Sequence, residues 1–461
     1  MSAPDRSWTI APTLLSFGAA LVAGLLVIDG DVSALADRLT TKRDAQSSGP
    51  AGPTFTAGGA TESGDDSDLV AKLPPPVAGS HDIDALDDTC IDGTDQACKR
   101  WAMDAFYRAV ANEKASKLGR ALRVSWYGDS VVATDDLPGR LRARLQGELG
   151  DGGPGFVYAL APHRFCHHDG ITRGGGDNWL THAISMAHTS DGYYGPGGAS
   201  AETNSGRASF KLVAGKITRA ELYYLAQPHG GTATVTADGV EIVKASTLAD
   251  AKAPGWATGI AEAGASKIEI HGEGRTRVFG ISLENTSGAV VDNFGIVSVH
   301  VKSFAANNEE HYAAELGHRS ADLILVMIGA NEAQWLHAGD KAMKDYQGHY
   351  EKLLATMRKG RPDASCLVVS PTDQAEPKDD GFISKPVIPA LVEAQRKAAR
   401  AQGCAFYSTY DWMGGKGSAV KWFKRHYVSS DFIHLSKAGA DKMADALFGA
   451  LMKGAKQYAS K

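Results

Sequence analysis

The sequence predicts a three-layer α/β/α domain with a parallel sheet, interrupted by an all-β domain. The runs ADLILVMIG (321–329), CLVVS (366–370) and CAFYS (404–408) are continuously apolar, as strands buried on both faces of a parallel sheet are. Helical patterns alternate with these runs, which is typical of α/β architecture. Between about 200 and 287, short β-rich runs separated by Gly, Pro or Asp replace that alternation.

Each part of this architecture has its own signal. The first parallel strand is predicted at 123–128, RVSWYG, and in the next segment leucines at 137, 141, 145 and 149 form one helical stripe. Further helices are predicted across 341–359, 389–402 and 436–453. In the β-rich insertion, Asp238-Gly239 between TATVTA and VEIV indicates a hairpin. We expect the insertion to form a small sandwich.

The N-terminus carries a membrane anchor or a signal peptide. No charged residue occurs from Ser7 to Ile28, and IAPTLLSFGAALVAGLLVI supplies 19 nearly unbroken apolar residues, a length that can just span a bilayer. Cleavage near Ala34-Leu35-Ala36 is the alternative. The anchor is favoured because the apolar run is long. Either interpretation places the rest of the chain outside the cytoplasm, in the periplasm or at the cell surface.

The domain boundaries follow from composition. Residues 32–81 are expected to be a disordered linker. Within this range, residues 45–81 are rich in Gly, Ser, Ala, Pro and Asp and contain a single aromatic residue, Phe55. The predicted order is an anchor or signal peptide at 1–31, the linker, an α/β domain formed by 82–160 and 288–461, and an inserted loop plus β-rich domain at 161–287.

Charge and cysteine content exclude some classes of function. A net charge of -5 gives no basic footprint for nucleic acid. Cys90 and Cys98 flank a Gly- and Asp-containing loop suited to a small disulfide in an oxidising compartment. Cys366 and Cys404 each open an apolar run and are interpreted as buried strand cysteines. No CxxC spacing suggests zinc, and no motif calls for a metal or another cofactor.

Polar residues stand where several of the parallel strands end, which is where active sites of open α/β sheets collect. Ser130 follows the strand 123–128 directly and is a candidate nucleophile, although Gly-Asp-Ser is also an ordinary turn. Asp431 and His434 precede a helix. His434 could take the proton of the Ser130 hydroxyl while Asp431 orients its ring, or Asp431 could simply cap that helix.

Two further residues could stabilise an oxyanion. Asn331 follows the strand 321–329, where its side-chain amide could donate to a developing negative charge. Gly295 interrupts an apolar run at 290–299 and would let a substrate oxygen approach its backbone N–H closely. For each of them an ordinary turn or loop position is the competing interpretation.

The stretch 161–180, APHRFCHHDGITRGGGDNWL, also contains several residues that could bind a metal or a sugar. Its metal candidates are His163, His167, His168 and Asp169. Their spacing fits no standard metal motif, so we expect no metal there. A loop that lines an active-site mouth, with Phe165 and Trp179 offering ring faces to a sugar, is favoured over a metal site, and an ordinary surface loop is the third interpretation.

The order of these motifs resembles the SGNH hydrolase, or GDSL esterase, superfamily. The resemblance implies an α/β/α flavodoxin-like fold. It also implies Ser130 as nucleophile, His434 and Asp431 as its partners, and an oxyanion hole of Ser130 N–H, Gly295 N–H and the Asn331 amide. An inserted β domain at this point is similar to the layout of the peptidoglycan O-acetylesterase branch. Val131, Ser298 and Glu332 depart from the usual motifs, which leaves the substrate open.

The expected function is that of an extracytoplasmic serine esterase. Ser130 would attack an ester carbonyl and form an acyl-enzyme, releasing O-acyl groups, principally O-acetyl, from a polysaccharide or cell-wall glycan. If a sugar hydroxyl resolves the acyl-enzyme, the chain is instead an O-acetyltransferase. Two further hypotheses are a non-catalytic glycan-binding protein with a vestigial hydrolase domain, and a lipid esterase. The expected partners are the glycan and, through the N-terminal segment, a membrane.

Overall fold

The structure is a computed structural model that describes residues 81–83 and 86–460, except residue 380. The anchor or signal peptide expected at 1–31 and nearly all of the linker expected at 32–81 lie outside the described residues. Within the described part, none of the helices is long and apolar enough to cross a membrane.

Strands and helices alternate along the chain on both sides of a β-rich segment. Before and within that segment the strands are β1 (His81–Ile83), β2 (Leu86–Asp88), β3 (Cys90–Thr94), β4 (Ala97–Trp101), β5 (Leu122–Gly128), β6 (Gly155–Tyr158), β7 (Ile171–Gly175), β8 (Leu180–Ala183), β9 (Ala199–Leu212), β10 (Ile217–Ala226), β11 (Thr232–Ala237), β12 (Val240–Ser246), β13 (Ala253–Ala265) and β14 (Lys267–Glu284). After it come β15 (Ala289–Gly295), β16 (Leu323–Met327), β17 (Ser365–Val369), β18 (Ala375–Lys378), β19 (Gly381–Ser384) and β20 (Ala405–Tyr407). The helices are α1 (Asp104–Lys114), α2 (Ser130–Ala133), α3 (Asp136–Leu149), α4 (Glu309–Arg319), α5 (Asp340–Gly360), α6 (Val387–Ala401), α7 (Thr409–Trp412), α8 (Ser418–Lys424) and α9 (Lys437–Ala459), with 3₁₀ turns at Val301–Ala306 and Glu332–Gln334.

The predicted parallel sheet is confirmed. Its strand order is β1-β2-β20-β17-β16-β5-β15, and the five strands from β20 to β15 run parallel. β2 joins β20 in the antiparallel direction and β1 extends that edge. The predicted helices also form, with α9 reaching beyond the predicted end at 453. The α/β/α fold class is therefore correct.

Apolar side chains on the two faces of the sheet build two separate cores. Along β16, Leu323 and Leu325 contact the layer that contains α1, α3 and α9, whereas Ile324 and Val326 contact the layer with α4, α5 and α6. The leucine stripe of α3 is buried at positions 137, 141 and 145. Burial of both faces explains why these strands are apolar at consecutive positions.

The β domain forms one hydrogen-bonded sheet around its own apolar core. β14 joins its two halves, because its first part pairs with β9 and β11 and its last part pairs with β10 and β6. β6 lies at 155–158, within the range assigned to the α/β domain from the sequence. The β domain therefore recruits a strand from ahead of the expected boundary at 161, a pairing that local sequence does not reveal.

A buried cluster of ion pairs joins the β domain to the parallel sheet. Arg319 on α4 contacts Asp292 on β15 at 2.7 Å and also contacts Glu284 at the end of β14. Glu284 in turn accepts from Arg123 on β5 at 2.7 Å. All four side chains are buried. Because a buried charge is costly without its partner, the cluster couples the two domains.

Two disulfides are present. Cys90 and Cys98 are bonded across the β3–β4 hairpin. Cys366 and Cys404 are buried, as predicted, but they are also bonded to each other. Parallel pairing of β17 with β20 brings their Cα atoms to 4.6 Å, a juxtaposition of residues 38 positions apart that their local sequence does not contain. Cys166 is a buried free thiol.

Candidate active site

Ser130 lies in the sharp turn from β5 into the short helix α2. A Cβ atom on Gly128 would lie 2.2 Å from the Val132 side chain, so only glycine allows the helix to start this close to the strand. Asp129 caps α2 and accepts the Val131 N–H at 3.0 Å. The cap fixes the direction in which Ser130 leaves the end of the sheet.

His434 and Asp431 come from the loop before α9 and meet Ser130. Ser130 Oγ lies 2.7 Å from His434 Nε2, and His434 Nδ1 lies 2.7 Å from Asp431 Oδ2. The other carboxylate oxygen of Asp431 accepts the backbone N–H groups of Ile433 and His434 at 2.9 and 3.0 Å. The structure thus brings together the three residues predicted as a triad, in an order that allows proton transfer from Ser130 to His434.

The surroundings of His434 favour the charged form of its imidazole. The hydrogen bond that His434 donates to Asp431 raises the pKa of His434, although partial burial acts in the opposite direction. Burial would raise the pKa of Asp431, but hydrogen bonds from His434 and from the neighbouring backbone lower it below its usual range. Asp431 therefore stays ionised and can stabilise the imidazolium that forms when Ser130 loses its proton.

The candidate oxyanion donors are arranged differently from the expectation. Asn331 donates one amide hydrogen to Val299 O at 2.8 Å, which leaves its second hydrogen for another acceptor. Gly295 N–H, however, donates to Asn293 Oδ1 at 2.9 Å and is buried. The predicted role of Gly295 as a free donor does not match this hydrogen bonding, since the Asn293 side chain already occupies its N–H.

Gly295 instead has a packing role. A Cβ atom at this position would lie 2.3 Å from Ala133 N, so glycine lets β15 end directly beneath the helix that carries Ser130. Beyond it, the turn 296–299 is closed by Val299 N–H to Ile296 O at 3.2 Å. Ser298 in this turn is exposed and has φ 64°, a left-handed conformation that favours glycine. This explains why a second glycine suits the position.

Sequence reasoning assigned no role to Asp129 and treated Glu332 only as a departure from a motif. Asp129 is buried and accepts Ala330 N–H at 3.2 Å as well as Val131 N–H. Glu332 is buried and accepts Val301 N–H at 2.7 Å. The position of Asp129 directly before a helix start is a capping signal that could have found it. No local signal reveals the distant contact of Glu332.

The pKa of Glu332 is shifted strongly. Burial raises it to about 7, and the nearby negative charge of Asp129 acts in the same direction, while the hydrogen bond from Val301 N–H opposes them. Glu332 follows Asn331 directly, and its contact with Val301 holds the segment after the turn 296–299. This carboxyl group therefore links the two backbone segments that flank the candidate oxyanion site.

The loop 161–180 borders the site, as one of the sequence interpretations proposed. His167 N–H donates to Ala133 O at 2.9 Å, which fixes the loop to the end of α2. Phe165 is 49% exposed and remains available to a ligand. Trp179 is partly buried, because its ring lies against Gly206 and Gly272 of the β domain. This packing does not match its predicted role as a freely exposed ring that faces a sugar.

A polar cavity of about 700 Å³ opens between this loop and α3. Its lining residues include Thr134, Asp136, His167, His168, Asp169 and Arg173. His168 is buried, its pKa is lowered to about 3 by that burial, and its Nε2 lies 3.2 Å from Pro154 O. Across the described residues, no group of three or more His, Cys, Asp or Glu side chains is arranged to hold a metal ion.

Comparison with known proteins finds a family model that matches part of this chain. Residues 243–442 match the model of the GDSL-like Lipase/Acylhydrolase family. The matched range includes Asn331, Asp431 and His434 but begins after Ser130, which lies ahead of the β domain. None of the curated proteins compared matches the chain significantly.

One solved structure shows the same fold, and others are similar to parts of this chain at lower TM-scores. A peptidoglycan O-acetylesterase superposes with a TM-score of 0.65 at 24% identity, covering 77% of this chain and 96% of the other. A salicylyl-acyltransferase from a tetracycline biosynthetic pathway gives a TM-score of 0.29 at 13% identity, with 63% and 95% covered. An acetylxylan esterase from Geobacillus stearothermophilus gives 0.26 at 18%, with 35% and 73% covered. The first of these extends over both the α/β and β domains.

Proposed function

We propose that this chain is an SGNH-type ester hydrolase that removes O-acetyl groups from a glycan outside the cytoplasm. The match of residues 243–442 to the GDSL-like Lipase/Acylhydrolase family supports ester hydrolysis. The observation that carries the proposal is the continuous hydrogen-bonded chain from Ser130 through His434 to Asp431. A vestigial hydrolase domain has no physical need to keep this geometry. An intact chain of this kind supports catalysis over passive glycan binding.

Each residue has a defined part in the proposed reaction. Ser130 Oγ attacks the ester carbonyl carbon while His434 Nε2, 2.7 Å away, accepts its proton. Collapse of the tetrahedral intermediate breaks the ester bond, and the protonated His434 returns that proton to the departing sugar oxygen. Water, deprotonated by His434, then attacks the acyl-enzyme and releases acetate and free Ser130.

Two donors remain for the oxyanion. Ser130 N–H stands at the first position of α2, where a helix provides no acceptor within itself, and the second amide hydrogen of Asn331 is unused by Val299. Donors of this kind stabilise charge that develops only in the transition state. We therefore assign the oxyanion to Ser130 and Asn331 and leave Gly295 to packing.

Two observations support a glycan as substrate. The cavity next to α2 is lined mainly by polar side chains, among them Thr134, Asp136 and His167, which suits hydroxyl-rich sugars better than acyl chains. The structural neighbour that spans both domains is a peptidoglycan O-acetylesterase. A cell-wall glycan is accordingly the first substrate to test.

The proposed location outside the cytoplasm rests on cysteine chemistry and on the N-terminus. Cys90–Cys98 and Cys366–Cys404 are disulfides, and disulfides persist in oxidising compartments. The apolar run up to Ile28 would tether or export the chain. Membrane attachment remains part of the proposal.

The decisive experiment measures acetate release by the purified chain from O-acetylated peptidoglycan, acetylated xylan and p-nitrophenyl acetate. Ser130→Ala should abolish release, while Ser287→Ala, at an exposed turn position, should not. Acetate transfer to an added oligosaccharide, with no release in its absence, would show a transferase instead. Equal inactivity of the unchanged chain and Ser130→Ala on all three esters would overturn the proposal.

A further inference from the structure

The cavity beside α2 is fixed to the catalytic turn. His167 N–H donates to Ala133 O at 2.9 Å, three residues after Ser130. On the same wall, the Asn293 side chain donates to His167 O at 3.2 Å and accepts from Gly295 N–H. Thr134, four residues after Ser130, lines this cavity of about 700 Å³, so the cavity opens beside the helix that carries the candidate nucleophile.

Arg173 on β7 is the cationic side chain of this lining. Its guanidinium donates to Tyr158 O and lies 5.5 Å from the centre of the Phe210 ring. Burial lowers its pKa to about 10, which still leaves it charged at neutral pH. Within the described part of the chain it forms no ion pair within 4.0 Å.

Four buried arginines differ from Arg173 in their ion pairs. Each is paired with a carboxylate: Arg123 with Glu284 at 2.7 Å, Arg142 with Asp135 at 3.0 Å, Arg277 with Asp191 at 2.9 Å and Arg319 with Asp292 at 2.7 Å. This pattern follows from the high cost of removing a charge from water without a partner. Arg173 is only partly exposed, lines a cavity and has no carboxylate partner among the described residues, so its guanidinium can receive an anion from outside the chain.

The cavity also contains negative charge, which restricts what can bind. Asp136 and Asp169 line it together with Arg173. Burial and the negative charge of Asp135 raise the pKa of Asp169, and a second anion beside Asp169 would add to the repulsion between these two acids. A ligand that suits this lining presents one carboxylate to Arg173 and hydroxyl groups to the two acids. A sugar with a single acidic group has that pattern.

We propose that Arg173 binds a carboxylate of the glycan, so that the enzyme selects O-acylated sugars that carry an acid group. The planar fork of a guanidinium matches the two oxygens of a carboxylate. Two sources supply such a group: the carboxylate of a uronic acid, and the carboxylate of an ether-linked substituent on an amino sugar of peptidoglycan strands from which the stem peptide has been removed. This inference rests on the proposed function, because it names the substrate class of the same site.

The test compares matched esters that differ only in this charge. O-acetylated peptidoglycan strands and an O-acetylated polyuronate are each assayed before and after carbodiimide amidation of their carboxylates, and kcat/KM gives a ratio of acidic to amidated substrate. We expect the unchanged chain to prefer at least one acidic form by about tenfold or more. Arg173→Gln should bring that ratio close to one, and Arg173→Lys should give an intermediate ratio.

The ratio is an internal measure, because partial misfolding lowers both rates together. Arg108→Gln, on an exposed position of α1, is the matched control and should leave the ratio unchanged. A ratio near one for both substrates in the unchanged chain would overturn the inference, as would an Arg173→Gln ratio equal to that of the unchanged chain. The substrate with the larger ratio identifies the source of the carboxylate.

Binding separates this inference from the proposed reaction. Calorimetry with the Ser130→Ala chain measures the affinity for deacetylated acidic oligosaccharides and for their amidated forms. Tighter binding of the acidic form that disappears in the Ser130→Ala/Arg173→Gln double variant supports the role of Arg173 even if no ester is hydrolysed. Equal affinity for the acidic and amidated forms would contradict it, whatever the catalytic assays show.

Discussion

The carboxylate of Asp129 accepts the backbone N–H of Ala330 at 3.2 Å, which joins the turn that presents Ser130 to the turn that presents Asn331. The two turns are about 200 residues apart in sequence and follow neighbouring parallel strands. Asp129 is fully enclosed and also accepts Val131 N–H. One side chain thus sets the distance between the candidate nucleophile and the candidate oxyanion donor.

Asp129→Asn should impair catalysis more than folding. An amide presents a donor to one of the two N–H groups that now share the carboxylate, so one of the two turns must shift. Misplacement of a catalytic group by about 1 Å can cost about 100-fold in rate, and we expect a fall in kcat of that order with little change in KM. Steady-state kinetics on p-nitrophenyl acetate measure both constants. Asp363→Asn, at an exposed position, is the control, and an unaltered kcat in Asp129→Asn would refute this role.

Asp431→Asn should change the pH dependence as well as the rate. His434 must be neutral to accept the proton of Ser130, and its pKa is raised by Asp431. Loss of the carboxylate lowers that pKa, so the acidic limb of the kcat/KM profile should move to lower pH. The rate on the plateau should fall by about 10³-fold or more, because the imidazolium loses its counter-charge. A profile whose acidic limb stays in place would mean that another group controls it.

Gly295→Ala tests packing against a purely electrostatic role for this glycine. The added Cβ would meet Ala133 N at 2.3 Å and Ala133 Cα at 2.5 Å, so α2 or β15 must move. We expect a loss of stability of about 1–3 kcal/mol together with lower activity. Thermal unfolding followed by circular dichroism measures the first. Gly348→Ala, on an open position of α5, should stabilise the chain by up to about 1 kcal/mol, and equal effects of both changes would contradict the packing argument.

Glu332→Gln should make stability less dependent on pH. The pKa of Glu332 is raised from 4.5 to about 7 in the folded chain, so the folded state holds its proton more tightly than the unfolded state. Its ionisation therefore destabilises the fold progressively from about pH 4.5 to pH 7. Glutamine retains an acceptor for Val301 N–H without the charge. We expect a gain of up to about 3 kcal/mol at pH 8 and almost none at pH 4.

Unfolding curves at several pH values measure this difference between Glu332→Gln and the unchanged chain. Glu262→Gln, on an exposed position of β13, is the matched control and should give parallel curves at every pH. A gain in Glu332→Gln that is the same at pH 4 and pH 8 would show that shape, rather than charge, determines the effect.

The sequence was sufficient for the fold class because strands buried on both faces leave an unmistakable apolar signal, as at 323–327. It was also sufficient to select Ser130, Asp431 and His434, since the order of the motifs along the chain resembles that of the SGNH hydrolase superfamily. Contacts between segments that are distant in sequence could not be predicted from it. The engagement of Gly295 N–H by Asn293, the Cys366–Cys404 disulfide and the recruitment of β6 into the β domain all depend on tertiary pairing.

The ion-pair cluster at the base of the β domain limits how this protein can be altered or recombined. Glu284 belongs to the last strand of the β domain, whereas Arg123 and Arg319 belong to the catalytic domain. A chain from which the β domain has been excised would keep two arginines in its interior with one acid, Asp292, between them. Domain-swapped chimaeras are thus viable only if the incoming domain ends its last strand with an acid at the same place. The β domain therefore cannot be exchanged freely for an unrelated domain.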